Sequence, residues 1–218
     1  MSDNRNAATV DLLGGQLCLD FANAVEPRVG DDRSDYLVGY ADLVRWARHA
    51  GSLSREEAQR LLLEAEEKPS EAMAAFQQAV ALRETVYRVF SAVARGEEPE
   101  SSDLEALSAA HLGALAHCRI VRTADGFRWA RVGSEDKLES PLWPVVLSAT
   151  GLLTSGELER VKECPPEEGG CGWLFHDTSK NRSRRWCSMA GCGSRVKMRR
   201  YYARRHSSRP RGDREDQS

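Results

Sequence analysis

Apolar residues recur at three- and four-residue steps over much of the first 160 positions, the spacing that places them on one face of an α-helix. The longest series is Phe76, Ala79, Leu82, Val86, Phe90 and Val93. The other faces of this predicted helix carry polar side chains: Gln77, Arg83, Glu84 and Arg88. Gly96 follows the last periodic position and is predicted to end the helix.

Two further helices are predicted from their start signals. Ser54-Arg55-Glu56-Glu57 and Ser102-Asp103-Leu104-Glu105 both match the capping box, in which a serine and a glutamate satisfy the first free amides of a helix. They predict helices over 54–66 and 102–116. Residues 141–153 return to the helical pattern, with Trp143, Val146, Leu147 and Leu153 directed toward a core.

Between the second and third of these helices the pattern changes to the two-residue period of a β-strand. Residues 119–122 and 127–132 read as two strands around Ala124-Asp125-Gly126, and Asp-Gly is a strong hairpin signal. The predicted fold class is therefore α+β, with a mainly helical N-terminal domain and a small hairpin sheet. We place this domain at 1–157, a small zinc finger of treble-clef or ribbon type ending in a basic helix at 158–206, and a disordered polar tail at 207–218.

The charge is divided unevenly along the chain. The 218 residues carry a formal net charge of -2, whereas positions 172–211 hold twelve lysines and arginines against one acid. That stretch therefore carries +11 and the remainder -13. A basic module on an acidic body is typical of a protein that meets a polyanion through one surface only. The alternative is an ordinary solvated face, although such faces normally mix both signs.

Length and hydropathy narrow the class of protein. The chain is long enough for one ordinary domain and a small appendage, and it contains no apolar run of about 18 residues, so we expect no membrane span. No N-terminal stretch combines a charged region with an apolar one as secretory signals do. We therefore expect a cytoplasmic protein that does not bind membranes and whose thiols stay reduced.

Four cysteines lie immediately before and within the basic stretch, at Cys164, Cys171, Cys187 and Cys192. Two cysteine pairs separated by a hairpin-length linker can close one tetrahedral zinc site, and neighbouring glycines let the chain turn its thiolates toward one ion. Disulfides and buried free thiols are the alternatives. His176 or His206 could replace a cysteine at the metal, but four thiolates suffice. Cys18 and Cys118 have apolar neighbours and are predicted to fill the core.

Several functions fit a basic zinc module. Tryptophans and tyrosines interleaved with arginines could stack unpaired bases, so RNA binding or association with the ribosome is an alternative to DNA binding. Zinc modules also dock other proteins. An enzyme is the third class, but His111 and His117 do not share a helical face, and no phosphate loop, metalloprotease helix or nucleophile elbow is present. We therefore expect no enzymatic activity.

Two stretches resemble known bacterial families. From Cys171 the chain reads CGWLFHDTSKNRSRRWCSMAGCGSRVKMRRYYARRH, which resembles the CGNR zinc finger, although Ser194 stands where that motif has asparagine. The body resembles the ABATE domain that usually precedes this finger, through LCLDFANAV, YADLVRWARHAG and ALRETVYRVF. One departure there is Ala24, where threonine is expected after Asn23.

The resemblance implies a transcription regulator, often described as stress-induced, with one Zn²⁺ held by the same four cysteines. Trp173-Leu174-Phe175 and Arg185-Trp186 are predicted to pair as a hairpin over the metal, and Ser194 to cap a helix running to about Arg205. The residues predicted to contact nucleic acid are Lys180, Arg182, Arg184, Arg185, Ser194, Arg195, Lys197, Arg199, Arg200 and Arg204.

The role of the predicted N-terminal domain is less specific. It could sense a small effector, form a homodimer or only hold the finger. Asp20 and Asn23 are the polar residues of its most distinctive stretch, and buried polar groups need partners. They either make structural hydrogen bonds or line an effector pocket.

Overall fold

A computed structural model describes residues 6–30, 33–131 and 137–207. The helices within these ranges are α1 (Leu17–Ala22), α2 (Tyr40–His49), α3 (Arg55–Glu67), α4 (Pro69–Arg95), α5 (Ser101–Leu115), α6 (Trp143–Leu153) and α7 (Ser194–Ser207). The strands are β1 (Val25–Glu26), β2 (Ser34–Asp35), β3 (Cys118–Thr123), β4 (Gly126–Arg131), β5 (Val161–Glu163) and β6 (Leu174–His176). They pair in sequence order as three two-stranded antiparallel sheets, so the α+β class is confirmed.

Helix α4 is the central element of the fold. It begins at Pro69, whose missing N–H is not needed in a first helical turn, and Gly96 ends it in the left-handed conformation at φ 73°. Helices α1, α2, α3 and α5 pack against it, as do β5 and β6. Val86 and Phe90 are fully buried, so the predicted apolar face is confirmed.

Part of the polar side of α4 is buried. Arg83 is only 3 % exposed, and its guanidinium binds both carboxylate oxygens of Asp35 at 2.7 and 2.8 Å. Glu84 accepts hydrogen bonds from Arg83 and from Arg28. The partners come from β2, which supplies Asp35, and from the loop after β1, which supplies Arg28, whereas Gln77 and Arg88 are exposed. Pairing removes most of the cost of burying the charges.

One of the two capping boxes is confirmed. Ser54 accepts from the Glu57 amide, and the Glu57 carboxylate accepts from the Ser54 amide. The second prediction is wrong, since α5 begins at Ser101 after Glu100 and no side chain caps it. Ser102 lies within the first turn of α5, and the neighbouring Asp103 accepts hydrogen bonds from Arg88 at both carboxylate oxygens, at 2.5 and 2.8 Å.

The predicted hairpin is β3 and β4. Thr123 pairs with Gly126, so Ala124 and Asp125 form the turn and the glycine, at φ 125°, starts the second strand. The turn therefore lies one residue earlier than an Asp-Gly turn would. Cys118 begins this hairpin and is half-buried, whereas Cys18 in α1 is fully buried, and burial raises the pKa of its thiol to about 12.

The main core continues into the cysteine-rich segment. Trp173, Leu174 and Phe175 are at most 1 % exposed and belong to one apolar cluster with Phe21 and Trp46 of the body. We call residues 158–207 the zinc module. The predicted boundary at 157/158 stays a prediction, and apart from Ser207 the predicted disordered tail lies outside the described residues. Across the described chain, no helix has the length and apolar character needed to cross a membrane.

Candidate metal centre and nucleic-acid interface

The four predicted ligands meet in one cluster. Their sulfurs all lie within 4.8 Å of one another, and all four side chains are buried. The chain brings them together from four places: the end of β5, the loop that follows it, the loop after β6, and the turn before α7. Two of the sulfur–sulfur distances are 3.5 Å, between Cys171 and Cys187, and 3.7 Å, between Cys187 and Cys192.

These distances fit zinc and exclude disulfides. Four sulfurs about 2.3 Å from a tetrahedral Zn²⁺ stand about 3.8 Å apart, whereas a disulfide needs about 2.05 Å. Hydrogen bonding to Cys164 raises the pKa of Cys171 and of Cys187, so four such close thiolates need a divalent cation in order to coexist. The cluster is the site for one zinc ion, with Cys164, Cys171, Cys187 and Cys192 as the residues that would hold it.

Glycines shape the loop between the first two ligands. Gly169 has φ 89°, a backbone conformation that other residues rarely adopt. A Cβ on Gly170 would lie 2.8 Å from the Cys164 sulfur, so only glycine lets the loop pass this close to the metal site. His176 is not part of the cluster: it is buried in β6 with its Nε2 3.8 Å from a Glu157 carboxylate oxygen. The His206 side chain lies outside the described residues.

A buried carboxylate shapes the loop that carries the third ligand. Asp177 is fully buried and accepts from Lys162 Nζ at 2.6 Å and from the amides of Ser179 and Arg184 at 2.9 Å. Burial alone raises the pKa of this carboxyl, but the lysine and the amides outweigh it and hold the pKa well below its usual range. Lys162 also donates to the carbonyls of Arg182 and Arg184, at 2.5 and 2.9 Å. One ion pair thus fixes both ends of the loop.

The predicted pairing of 173–175 with 185–186 is wrong. Strand β6 pairs instead with β5, with Lys162 opposite Phe175. Trp173 turns away from the metal into the body, where its Nε1 donates to the Val25 carbonyl at 2.8 Å. Trp186 does lie at the metal turn, since a Cβ on Gly193 would stand 3.2 Å from its ring. Trp173 thus contacts the body, whereas Trp186 contacts the turn that precedes α7.

Asp20 and Asn23 join the body to the zinc module. The Asn23 amide donates to the Leu174 carbonyl and accepts from the Leu174 N–H, both at 2.8 Å, and the residue is 1 % exposed. Asp20 accepts from the Gly14 N–H at 2.7 Å, and the Gly14 carbonyl accepts from the His176 N–H at 2.7 Å. Burial raises the pKa of Asp20 to about 6. The geometry favours the structural alternative, and an effector pocket here stays a prediction.

Arg28 and Tyr87 are junction residues that the sequence pattern did not predict. Arg28 is 4 % exposed, lies over the Tyr87 ring at 3.8 Å, and binds Glu84 through both terminal nitrogens. Its backbone N–H donates to the carbonyl of the zinc ligand Cys171 at 2.8 Å. Tyr87 donates to Glu163, one residue before Cys164, at 2.9 Å. Tyr87 belongs to the stretch ALRETVYRVF and Arg28 to none of the quoted stretches, but no local pattern joins either residue to the metal loop, so only their spatial neighbours reveal the role.

Helix α7 leaves the metal site directly. A π-helical turn over Met189–Gly193 precedes it, and Ser188 caps that turn by accepting from the Gly191 N–H at 3.1 Å. Ser194 is therefore not the cap that was predicted but the first residue of α7, and its hydroxyl donates to the Met189 carbonyl. Within α7 Val196 is buried against the module, while the residues around it are exposed.

Some predicted nucleic-acid residues have partners within the protein. Arg184 is half-buried, donates to the Trp186 and Cys187 carbonyls and lies 4.6 Å from the centre of the Phe175 ring. Its geometry is that of a structural residue. Arg182 pairs with Glu159, and Arg195 donates to the Cys192 sulfur at 3.5 Å.

The remaining predicted contacts are more accessible. Arg185, Arg199 and Arg200 are exposed and converge on Glu168. Lys180 and Lys197 are exposed and have no partner among the described residues. The Arg204 side chain lies outside the described part of the chain. Nucleic-acid contact by any of these residues stays a prediction.

Three of the cavities on the described surface bear on function. A cleft of about 790 Å³ lies between the end of α4 and the zinc module, lined by Arg95, Arg185 and Glu168 among others. A second, of about 340 Å³, lies between α4, α5 and α6, where His117 stacks on Trp143 at 4.3 Å. A third, of about 500 Å³, lies beside the Arg83–Asp35 pair. Neither Asp20 nor Asn23 lines any of the three.

Comparison with known families agrees with this arrangement. Residues 160–205 match the CGNR zinc finger, which spans all four cysteines of the cluster. No curated protein matches the chain. Residues 15–156, more than half of the chain, match the ABATE family, described as "Putative stress-induced transcription regulator". The chain thus belongs to the ABATE family and carries a CGNR zinc finger after the family's characteristic domain.

Proposed function

We propose that this protein is a zinc-dependent DNA-binding transcription regulator and not an enzyme. The observation that supports it best is helix α7: it starts one residue after the turn that holds Cys192, and it presents basic side chains to solvent over most of its circumference. An α-helix fits the major groove of DNA, where side chains on one face meet base edges and those on its flanks meet phosphates. Zinc is required because it fixes where this helix begins.

The N-terminal body holds the module and supplies regulation in this proposal. The cavity between α4, α5 and α6 supports an effector-sensing role, since its volume of about 340 Å³ falls in the usual range of small-molecule sites, about 300–1,000 Å³. Its lining combines apolar side chains such as Leu82 and Val146 with the polar Gln78 and Glu139. Dimerisation through the body is the alternative means of regulation.

Duplex binding by the full-length protein tests the proposal. The apolar side of the module is buried in the body, so the whole chain is the unit to use. We expect Lys197→Gln to weaken duplex binding about fivefold at 0.15 M salt and to reduce the log–log salt slope by about 0.9, the loss of one phosphate contact. Lys137→Gln makes the same change on an exposed site of the body and should leave both unchanged.

Three outcomes would contradict DNA binding through α7. They are a salt-independent affinity of the unmodified protein, equal losses in the two lysine variants, and full duplex binding after zinc removal. Affinity is measured by fluorescence anisotropy at four or more salt concentrations, with zinc content checked on the same samples.

RNA binding is the second candidate, favoured by two exposed aromatics. Tyr201 and Tyr202 are each 52 % exposed on α7, with their ring centres 5.7 Å apart. Exposed aromatics stack on unpaired bases and contribute little to duplex binding. If Tyr202→Ala weakens single-stranded RNA binding by tenfold or more while duplex DNA affinity stays unchanged, and RNA binds more tightly than DNA, the RNA function replaces the DNA one.

A further inference from the structure

Three arginines converge on one glutamate beside the zinc site. Arg185 and Arg200 each direct a terminal guanidinium nitrogen at the Glu168 carboxylate, the latter at 2.9 Å. Arg199 donates to the Glu168 backbone carbonyl at 2.6 Å. We call these four residues the Glu168 cluster. Its three cations and one anion leave a local charge of +2, so the glutamate neutralises only part of it.

The metal site positions every member of the cluster. Glu168 lies in the loop between the ligands Cys164 and Cys171, and Arg185 stands two residues before the ligand Cys187. Arg199 and Arg200 lie on α7, which begins just after the last ligand. These segments are distant along the chain, but they meet because the four cysteines hold their ends together. The three arginines are therefore brought close to one another by the metal site and not by Glu168.

The backbone leaves room for this convergence at Gly169. A Cβ at that position would overlap the Arg199 guanidinium, so a larger residue would displace the arginine. Gly169 also has φ 89°, a backbone conformation that favours glycine, so the tight turn of the loop needs glycine at this position as well. The main chain of the loop is therefore shaped to accept a guanidinium at its surface.

The arginine side chains of the Glu168 cluster are more exposed to solvent than the glutamate. The Arg185 and Arg200 side chains are 60 % and 58 % exposed, while the Glu168 side chain is 20 % exposed beneath them. An exposed arginine–carboxylate pair is a weak interaction that salt screens readily. A phosphodiester carries the same charge and offers its oxygens to the planar donor forks of two arginines at once. The arginines can therefore exchange the glutamate for a phosphate that approaches from solvent.

We propose that Arg185 and Arg200, with Arg199 beside them, form a site for a single backbone phosphate, and that the Glu168 carboxylate occupies it until nucleic acid displaces it. This inference rests on the proposed function, because it takes DNA as the source of the phosphate. In this arrangement Glu168 weakens binding to any duplex. This cost is the same for every duplex, so only a duplex that gains contacts elsewhere on α7 stays tightly bound.

Glu168→Gln tests this role, with Glu167→Gln as the matched control. Both variants lose one negative charge from adjacent positions, but Glu167 is exposed and has no partner among the described residues. We expect Glu168→Gln to tighten random-sequence duplex binding about tenfold at 0.15 M salt and to steepen the log–log salt slope by about 1, as one added phosphate contact would. Glu167→Gln should change affinity less than threefold, since only screened long-range charge is altered.

Zinc content and thermal unfolding of both variants establish that the fold is intact. Equal effects of the two substitutions would overturn the proposal, because Glu168 would then act only as one more negative charge. Weaker duplex binding by Glu168→Gln with zinc retained would also overturn it, since the glutamate would then organise the arginines for binding.

Elution from phosphocellulose separates this inference from the proposed function. The matrix presents phosphate groups without bases or a groove. If the unmodified protein fails to bind duplex DNA, but Glu168→Gln elutes at higher salt than Glu167→Gln, the phosphate site stands and the DNA function falls. If the two variants elute together, the phosphate site is refuted whatever the result with DNA.

Discussion

The zinc module has two faces that differ in how they are held. Its inner face, Trp173–His176, is buried against the body, with Trp173 and Leu174 hydrogen-bonded to residues of the N-terminal segment. Its outer face, the loop at 178–186 and helix α7, is largely exposed and basic. Apolar burial and paired backbone groups hold the inner face. The four cysteines and the Lys162–Asp177 pair hold the outer face.

This difference shows that the finger is only partly an independent unit. A small zinc finger usually owes its fold to its metal, because it has little apolar surface to bury. Here the inner face is part of the core of a larger domain, and only the outer face relies on the metal site and the Lys162–Asp177 pair. The body also contacts the metal loop directly, through the hydrogen bond from the Arg28 N–H to the carbonyl of Cys171.

The largest expected effect is the loss of the outer face in Cys187→Ser. Removing one thiolate should lower zinc from about one equivalent to near zero, since structural zinc contributes roughly 10–16 kcal/mol to finger folding. We expect fast amide exchange in α7 and continued protection in α1–α6, because apolar packing holds the body. Elemental analysis and hydrogen exchange measure these changes. Cys118→Ser, outside the cluster, serves as the control, and full zinc content in Cys187→Ser would refute the ligand assignment.

A smaller effect is expected at the inner face in Asn23→Ala. The substitution leaves the Leu174 N–H and carbonyl buried without their partner, which should cost about 2–4 kcal/mol of unfolding free energy. Zinc should stay bound, so this variant separates the two faces. Chemical denaturation and zinc analysis check it against Asn181→Ala, whose side chain is exposed and should change stability by less than about 0.5 kcal/mol. Equal costs in the two variants would mean that Asn23 does not hold the junction.

The smallest expected effect is a pH dependence set by Asp20. Its pKa is raised from 3.8 to about 6 in the folded protein, so the folded state binds the proton more tightly than the unfolded state. The stabilisation is complete below about pH 4 and is lost as the pH rises through 6, by at most about 3 kcal/mol. Asp20→Asn should remove this decline while keeping the acceptor for Gly14. An unchanged pH profile of urea unfolding between pH 4 and 7 in that variant would contradict the assignment.

Local patterns in the sequence were enough for most of the helices and for the metal. Periodicity from Phe76 to Val93 predicted α4, and Ser54 with Glu57 predicted the start of α3. The four cysteines predicted one zinc site because thiolates in a reducing environment collect a soft divalent metal whatever the rest of the fold does. These features depend on interactions within a few residues or on one dominant chemistry, which a sequence displays directly.

Only the tertiary structure decided what the polar residues do. Ser102 was expected to cap a helix, but the helix begins one residue earlier and no side chain caps it. The neighbouring Asp103 pairs instead with Arg88 of another helix. Asn23 was a candidate for a pocket, yet it bonds to Leu174, 151 residues away.

The basic residues show the same limit. In the sequence Arg184 and Arg185 are neighbours of equal charge, but in the fold one braces the metal loop and the other faces solvent beside Glu168. A charged or hydrogen-bonding side chain takes its role from whichever partner the fold brings within about 3 Å, and that partner is seldom near it in the chain.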